Sequence, residues 1–257
     1  MQTAIRIVRA LGLYGPAKSL WNRIEPLTPG WRRRQREMAA FYAGFIPPGS
    51  LCFDIGANAG NRTEIFLMLG AKVIAVEPQS SCVRTLESRF GDNDAVTIVR
   101  NALGAEPGSA DIHIGDADTI SSLSRTWIEN VRASGRFASY SWDRSETVPV
   151  TTFDALIREY GVPAFAKIDV EGYEYEVLRG LSRPVGTVSF EFTPEYLEPA
   201  LASIRRLNSL GRVAFNYSLG ETMQLSLDDW VGAAAMTSIL TTLPDTSVFG
   251  DVYARFA

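Results

Sequence analysis

The amino-acid sequence predicts an α/β fold built around a doubly wound sheet, in which strands alternate with helices. An apolar strand at residues 51–53 leads through a glycine turn into a helix. A second apolar strand at 72–76 ends at Glu77, and a later one at 165–168 ends in acidic residues. The carboxyl ends of such strands share one edge of the sheet, where doubly wound folds bind their ligands.

The first turn, residues 54–61, has the sequence D-I-G-A-N-A-G-N. Gly56 and Gly60 let the backbone approach a ligand closely, and the N-terminus of the following helix offers free N–H groups to polar ligand atoms. Asn58, between the two glycines, could also contact the ligand. The spacing G-x-x-x-G differs from the dinucleotide pattern G-x-G-x-x-G. Asp54 would repel a pyrophosphate but could accept hydrogen bonds from an ammonium, which favours S-adenosylmethionine over NAD.

Glu77 stands at the tip of the second strand, roughly 20 residues beyond the first turn, where doubly wound folds bind ribose hydroxyls. Both kinds of adenosyl cofactor carry that ribose, so Glu77 supports a cofactor site without choosing the cofactor. The alternative is an ordinary strand–helix–strand unit with a capped helix.

A third strand is predicted at 95–99. Its carboxyl end would border the adenine, through Asn101, Ala102 and Leu103. A turn at 106–109 suggests a hairpin whose returning strand is 111–114. That strand carries the only histidine of the chain, His113; a lone histidine on an alternating strand is more often structural than catalytic.

Residues 115–146 are polar and aromatic with little periodicity. We predict a substrate-binding lid over the crevice, with a disordered surface loop as the alternative. Regular structure resumes at 148–157, as a strand edge followed by a helix capped by threonine.

The strand at 165–168 is followed by Asp169, Glu171 and a glycine turn. A fifth strand at 187–192 brings Glu191 towards the same edge. Acids at the carboxyl tips of central strands face the ligand crevice, so these three carboxylates are candidate catalytic residues.

The 257 residues carry a net charge of −4 and two cysteines. The charge gives no overall attraction to nucleic acid, and two cysteines make neither a disulfide framework nor a zinc site. A reducing compartment is therefore the default, and we expect a cytoplasmic location. The sequence has no apolar run of about 18 residues, so we expect no spanning helix.

Residues 1–48 are predicted to form a helical extension that ends at Pro47–Pro48–Gly49, before a domain at 49–257. Residues 5–11 have an amphipathic pattern, and 31–36 form a basic cluster. This segment could contact an anionic or lipid-linked substrate or a membrane surface. Alternatively, it packs on the domain with its arginines in solvent.

Five motifs follow one another along the chain, at 53–60 with Thr63, 76–78, 101–104, 152–156, and 167–172 with Glu174. In this order and approximate spacing they resemble the FkbM family of S-adenosylmethionine-dependent methyltransferases, over about residues 50–195. Residues 250–254 look like the final strand of such proteins. The resemblance implies the class I methyltransferase fold, a Rossmann-like three-layer sandwich whose seven-stranded sheet has one antiparallel strand near the edge. It also implies methylation of a hydroxyl, often on a sugar, glycolipid or polyketide-type product.

Methyl transfer to an aliphatic hydroxyl needs a base or a metal, because the hydroxyl is a poor nucleophile at neutral pH. Glu171 is the first candidate base and Asp169 the second, although Asp169 could instead hold the methionine ammonium. Together with Glu191 they could also bind Mg²⁺. Lys167 is interpreted as the structural partner of a nearby acid. The residues expected to hold the cofactor are Asp54, Gly56, Asn58, Gly60, Thr63, Glu77, Asn101, Ala102, Leu103 and Asp169.

One other function class stays open from the sequence. A scaffold or cofactor-binding subunit of a biosynthetic complex could share the fold, although it would have no chemical reason to keep the acids. An NAD-dependent enzyme is disfavoured by the glycine spacing and by the lack of a Tyr-x-x-x-Lys pair. Nucleic-acid methylation is disfavoured by the acidic chain. The acceptor and the oligomeric state cannot be deduced from the sequence.

Overall fold

The computed structural model describes residues 28–243 and 248–257. Its strands are β1 Leu51–Ile55, β2 Lys72–Val76, β3 Val96–Val99, β4 Ala102–Leu103, β5 Gly108–Ile114, β6 Arg144–Thr151, β7 Phe165–Ile168, β8 Thr187–Phe192, β9 Val213–Leu219 and β10 Gly250–Phe256. Its α-helices are α1 Pro29–Tyr42, α2 Asn61–Met68, α3 Ser80–Phe90, α4 Arg125–Ala133, α5 Phe153–Tyr160, α6 Glu174–Arg179, α7 Glu198–Leu210 and α8 Ala233–Thr241. Short 3-10 helices lie at Asp118–Ile120 and Pro194–Tyr196.

The main sheet has seven strands in the order β3-β2-β1-β7-β8-β10-β9. Neighbouring strands pair in parallel from β3 to β8, whereas β10 is antiparallel to both β8 and β9. The predicted class I methyltransferase fold is therefore confirmed. The winding direction reverses between β1 and β7, so the loops after these two strands diverge and leave a crevice at their carboxyl ends.

Both faces of the sheet are covered, which is why its central strands are buried along nearly their whole length. Successive residues of β1 point to opposite faces: Phe53 belongs to the larger core cluster and Cys52 to the smaller one. In β7 all four residues are buried, including Lys167. α5 begins with the threonine cap that the sequence predicted, since the Thr152 hydroxyl accepts a hydrogen bond from the Ala155 N–H.

The predicted hairpin around 106–109 is wrong. β5 pairs antiparallel with β6, from Gly108↔Val150 to Ile114↔Arg144, and β4 pairs in parallel with the far end of β6. This three-stranded sheet buries Ile112, Val148 and Ala102 together. The pairing with β6 is favoured over the hairpin because it gives β5 a partner along its whole length and an apolar face that packs. β6 starts at Arg144, so the insertion proper is residues 115–143, and it contains α4.

The basic run at 31–36 lies on α1, which packs on the domain through its C-terminal end. The Tyr42 ring is buried 5.3 Å from the Phe66 ring and 5.5 Å from the Phe165 ring, while Arg32, Arg33, Arg34 and Arg36 are exposed. Residues 5–11 lie outside the described residues, and membrane contact by this extension remains a prediction. No described helix is long and apolar enough to cross a bilayer.

Candidate functional site

A pocket of about 500 Å³ opens at the carboxyl ends of β1, β2, β7 and β8. One half is walled by the loops after β1 and β2, and the other by the loops after β7 and β8. The predicted site residues that line it are Asp54, Gly56, Asn58, Glu77, Asn101, Ala102, Leu103, Asp169, Glu171 and Glu191. Gly60 and Thr63 are buried outside that lining, so their part in cofactor binding remains a prediction.

The glycine turn after β1 requires its glycines for two different contacts. Gly56 has φ +82°, and a Cβ atom there would lie 1.8 Å from the Asp169 carbonyl oxygen. Gly60 also has φ +82°, and its Cβ would lie 2.4 Å from the Phe90 ring. Gly56 thus lets the turn pass against the end of β7, and Gly60 lets α2 start against α3.

Asp54 is buried beneath the turn at the end of β1, with 2% of its surface exposed. The Thr63 hydroxyl donates to its carboxylate at 2.5 Å. Burial raises the pKa of Asp54 against the opposing effects of this hydrogen bond and of Lys167. Thr63 therefore acts on the site through Asp54, holding the carboxylate that faces the pocket.

Glu77 accepts two backbone hydrogen bonds, from the Asn58 N–H and the Gln79 N–H, both at 2.8 Å. These bonds tie the tip of β2 to the glycine turn. Burial raises the pKa of Glu77 to about 7, although the two N–H groups favour its charged form. Its carboxylate is consequently poised to gain or lose a proton near neutral pH.

The three predicted catalytic acids do converge. Asp169, Glu171 and Glu191 each offer an oxygen within 4.8 Å of the other two. Burial and the neighbouring carboxylates raise the pKa of Glu171 and of Glu191 well above the ordinary glutamate value. Burial opposes ionisation of Asp169 as well, but the ammonium of Lys167 lowers its pKa overall. The group therefore contains one carboxylate that is held ionised and two glutamates that bind a proton more readily than an exposed glutamate does.

Lys167 lies between two acids. The sequence predicted that it is the structural partner of one nearby acid. Its Nζ is 3.1 Å from Asp169 Oδ2 and 3.0 Å from Asp251 Oδ1 on β10, and the side chain is 2% exposed. Burial works against the charge, but the attraction of both carboxylates carries the pKa of Lys167 well above its ordinary value. Lys167 thus fixes the Asp169 carboxylate in its ionised form.

Sequence reasoning gave Glu174 no role, yet it shapes the turn that carries Glu171. One Glu174 oxygen accepts from the Val170 and Gly172 N–H groups, each at 3.2 Å. Burial raises the pKa of Glu174 to about 7. The sequence does carry a signal for this role of Glu174. The residue stands two positions after a glycine and at the start of α6, where acids commonly accept hydrogen bonds from backbone N–H groups.

Two ion pairs at the pocket wall were also missed. Arg62 on α2 binds both oxygens of Glu221, at 2.8 and 2.7 Å, and Arg136 of the insertion binds Glu195 at 2.5 Å. The members of each pair are 159 and 59 residues apart in the chain. No local pattern could have joined them. His113 lies away from this lining, where its Nε2 accepts from Arg125.

Residues 54–214 match the Methyltransferase FkbM domain, which begins at Asp54 and includes all three acids of the pocket. The chain belongs to the FkbM methyltransferase family. No curated protein matches the chain. As a family member it is an S-adenosylmethionine-dependent methyltransferase, and the pocket at the carboxyl ends of its strands is lined by Asp54, Glu77 and Asp169.

Solved structures similar to this FkbM protein include the precorrin-6Y C5,15-methyltransferase of Geobacter metallireducens, at 11% identity over 85% of this chain and 86% of that chain, with a TM-score of 0.43. A proposed methyltransferase of Streptococcus mutans in complex with S-adenosylhomocysteine is 11% identical over 85% of this chain and 95% of that chain, with a TM-score of 0.40. An rRNA methylase of Streptococcus thermophilus is 14% identical over 85% of this chain and 94% of that chain, with a TM-score of 0.39.

Proposed function

We propose that this protein is an O-methyltransferase that moves the methyl group of S-adenosylmethionine to a hydroxyl of a small molecule, sugar or glycolipid. The observation that carries the proposal is the group formed by Asp169, Glu171 and Glu191 in the same pocket as the glycine turn. A hydroxyl acceptor must lose its proton during transfer, and this group supplies proton acceptors at the place where cofactor and acceptor would meet.

The half of the pocket around the glycine turn would hold the cofactor. Glu77 would accept hydrogen bonds from the ribose hydroxyls, and Asn101, Ala102 and Leu103 would border the adenine. Asp54 and Asp169 would face the methionine end, where an ionised carboxylate attracts the ammonium. When bound, S-adenosylmethionine supplies the electrophilic methyl group, and the protein's own task is to orient the acceptor oxygen in line with it.

Glu171 is our proposed general base, with Glu191 as a second acceptor of the proton. Burial raises the pKa of both, which makes their anions stronger bases than an exposed glutamate would be. Asp169 suits this role less well, because its ion pair with Lys167 lowers its pKa. We therefore assign Asp169 to cofactor binding and Glu171 to the acceptor proton.

A divalent cation is the alternative use of the three acids, since Mg²⁺ prefers carboxylate oxygens. In that case the metal would lower the pKa of the acceptor hydroxyl, and transfer would stop in the presence of a chelator. A non-catalytic scaffold is the other alternative. It predicts cofactor binding without methyl transfer to any hydroxyl acceptor.

The proposal is tested first by titration calorimetry with S-adenosylhomocysteine. We expect micromolar binding that Asp54→Ala and Glu77→Ala each weaken at least tenfold, because each loses a charged hydrogen-bond partner of the ligand. Glu159→Ala, on the exposed surface of α5 and outside the pocket lining, is the matched control and should bind like wild type. No binding by folded wild-type protein would remove the methyltransferase proposal. Transfer of labelled methyl to a panel of glycosides, glycolipids and small alcohols then separates an enzyme from a scaffold.

The affinity for S-adenosylhomocysteine should also depend on pH through Glu77. The neutral carboxyl prevails below about 7, whereas ribose hydroxyls bind the ionised form better, so affinity should rise with pH. Between pH 6 and pH 8 we expect a gain of roughly tenfold, the size that ionisation of one group gives. Glu77→Gln should remove that part of the pH dependence, and Glu159→Gln, an exposed glutamate of α5, should not. An unchanged pH profile in Glu77→Gln would contradict the assignment.

A further inference from the structure

The insertion is fastened directly to the turn that carries Glu171. Its Ser122 hydroxyl donates to the Glu171 carbonyl oxygen at 2.6 Å and accepts from the Ser124 N–H at 2.8 Å. Ser122 is 1% exposed, so this contact is shielded from water. A buried serine hydroxyl thus connects the start of α4 with the backbone of the proposed base.

A second contact lies one residue further along the same turn. Gly172 has φ +87°, and a Cβ atom there would lie 2.4 Å from Trp127 Cγ and Cδ1. Trp127 is 1% exposed and packs with Ile120, Ile128 and Val131 in a cluster of the insertion. The insertion therefore presses its largest buried side chain against the glycine that follows Glu171.

Glu171 itself has an unusual backbone conformation, with φ +53°. Non-glycine residues avoid this region, and they persist there when surrounding contacts hold them. Glu174 holds the turn from the side of α6 through the Val170 and Gly172 N–H groups. Ser122 and Trp127 hold it from the insertion, so the unfavourable conformation is fixed from two directions.

We propose that Ser122 and Trp127 are positioning residues: they hold the Glu171 turn so that its carboxylate stays beside Asp169 and Glu191. The insertion also lines the acceptor half of the pocket, through Trp127, Arg136 and Phe137. The segment that would contact the acceptor therefore also places the base. This inference rests on the proposed function, in which Glu171 takes the proton of the acceptor.

The test measures the titration of Glu171 directly, in protein labelled with ¹³C at its glutamate carboxyls. The Glu171 signal is identified by its absence from Glu171→Gln. The groups facing Glu171 are Asp169, Glu174, Lys167 and Glu191. In Ser122→Ala the carboxylate is released from these acids, and we expect its titration midpoint to fall by about one pH unit or more. The affinity for S-adenosylhomocysteine should stay within twofold of wild type.

Ser141→Ala is the matched control. The Ser141 hydroxyl donates to Asp116 Oδ1 within the same insertion, and neither residue belongs to the Glu171 turn or contacts Trp127 by a hydrogen bond. We expect an unchanged Glu171 titration in this variant. If Ser122→Ala does not fold, Ser122→Cys keeps the size and weakens the donor, and the midpoint should move in the same direction.

An unshifted Glu171 midpoint in Ser122→Ala, or an equal shift in Ser141→Ala, would overturn the positioning role. The titration needs neither cofactor nor acceptor, so this failure is distinct from failure of the proposed function. The latter shows as folded wild-type protein that does not bind S-adenosylhomocysteine.

Discussion

Glu171→Gln is expected to reduce methyl transfer at least tenfold while leaving S-adenosylhomocysteine affinity nearly unchanged. A general base typically contributes about 10²–10⁴-fold to a rate, and the remaining acid Glu191 can take over part of the work. The amide keeps the size and shape of the side chain, so the acceptor half of the pocket should retain its form. The measurement is turnover of labelled methyl, compared with the dissociation constant of the same variant.

The same substitution should raise the thermal midpoint of the protein. Burial and neighbouring carboxylates raise the pKa of Glu171 in the folded state, so its ionisation costs stability as pH rises above the unfolded value. Glutamine removes that cost, and the gain should be larger at pH 8 than at pH 5. Glu176→Gln is the control, because Glu176 lies on α6 in an exposed pair with Arg179. Full turnover in Glu171→Gln would transfer the base role to another residue.

Gly56→Ala is expected to have the largest effect on the fold of the site. The new methyl group would lie 1.8 Å from the Asp169 carbonyl oxygen, and the atom it meets is backbone, which cannot move aside as a flexible side chain can. We expect a loss of more than about 4 kcal/mol of unfolding free energy, a size that marks direct steric conflict. Binding of S-adenosylhomocysteine should be lost as well, because the turn and the tip of β7 would separate.

Gly49→Ala provides a matched comparison for this loss. Gly49 has φ +79°, close to the +82° of Gly56, but no atom lies within 4 Å of a Cβ placed there. It should therefore show only the cost of a left-handed alanine, roughly 1–2 kcal/mol. Urea unfolding of both variants isolates the steric term as their difference. Equal losses would mean that backbone conformation alone requires glycine at Gly56.

The parts of the fold that the sequence predicted well are those with local signals. The strand at 187–192 has the bounds of β8, because its Val and Phe residues are typical of a strand and Pro194 follows closely. The pairing of β5 with β6 could not be predicted in this way. The two strands are separated by the insertion, and a nearby turn offered a false local partner.

The candidate site shows the same difference between residues with a local signal and residues placed by long-range contacts. Asp54, Glu77 and Asp169 could be placed from the sequence because each lies at the carboxyl end of a strand, and parallel strands end at one edge. Glu191 lies beside Asp169 and Glu171 because β8 is adjacent to β7 in the sheet. Ser122 could not be assigned, since its partner is a backbone carbonyl 49 residues away. Contacts of this kind leave no pattern in residue type or spacing.

The ion pair of Lys167 with Asp251 has a consequence for the order in which the protein matures. Asp251 lies on β10, which follows the other described strands in the chain and yet is inserted between β8 and β9. During synthesis β9 has no neighbour in the sheet until β10 has emerged from the ribosome, and Lys167 lacks one of its two counterions until then. Competence to bind cofactor should therefore appear late, after translation of residues 250–256, and the nascent chain should pass through an inactive state with an open sheet edge.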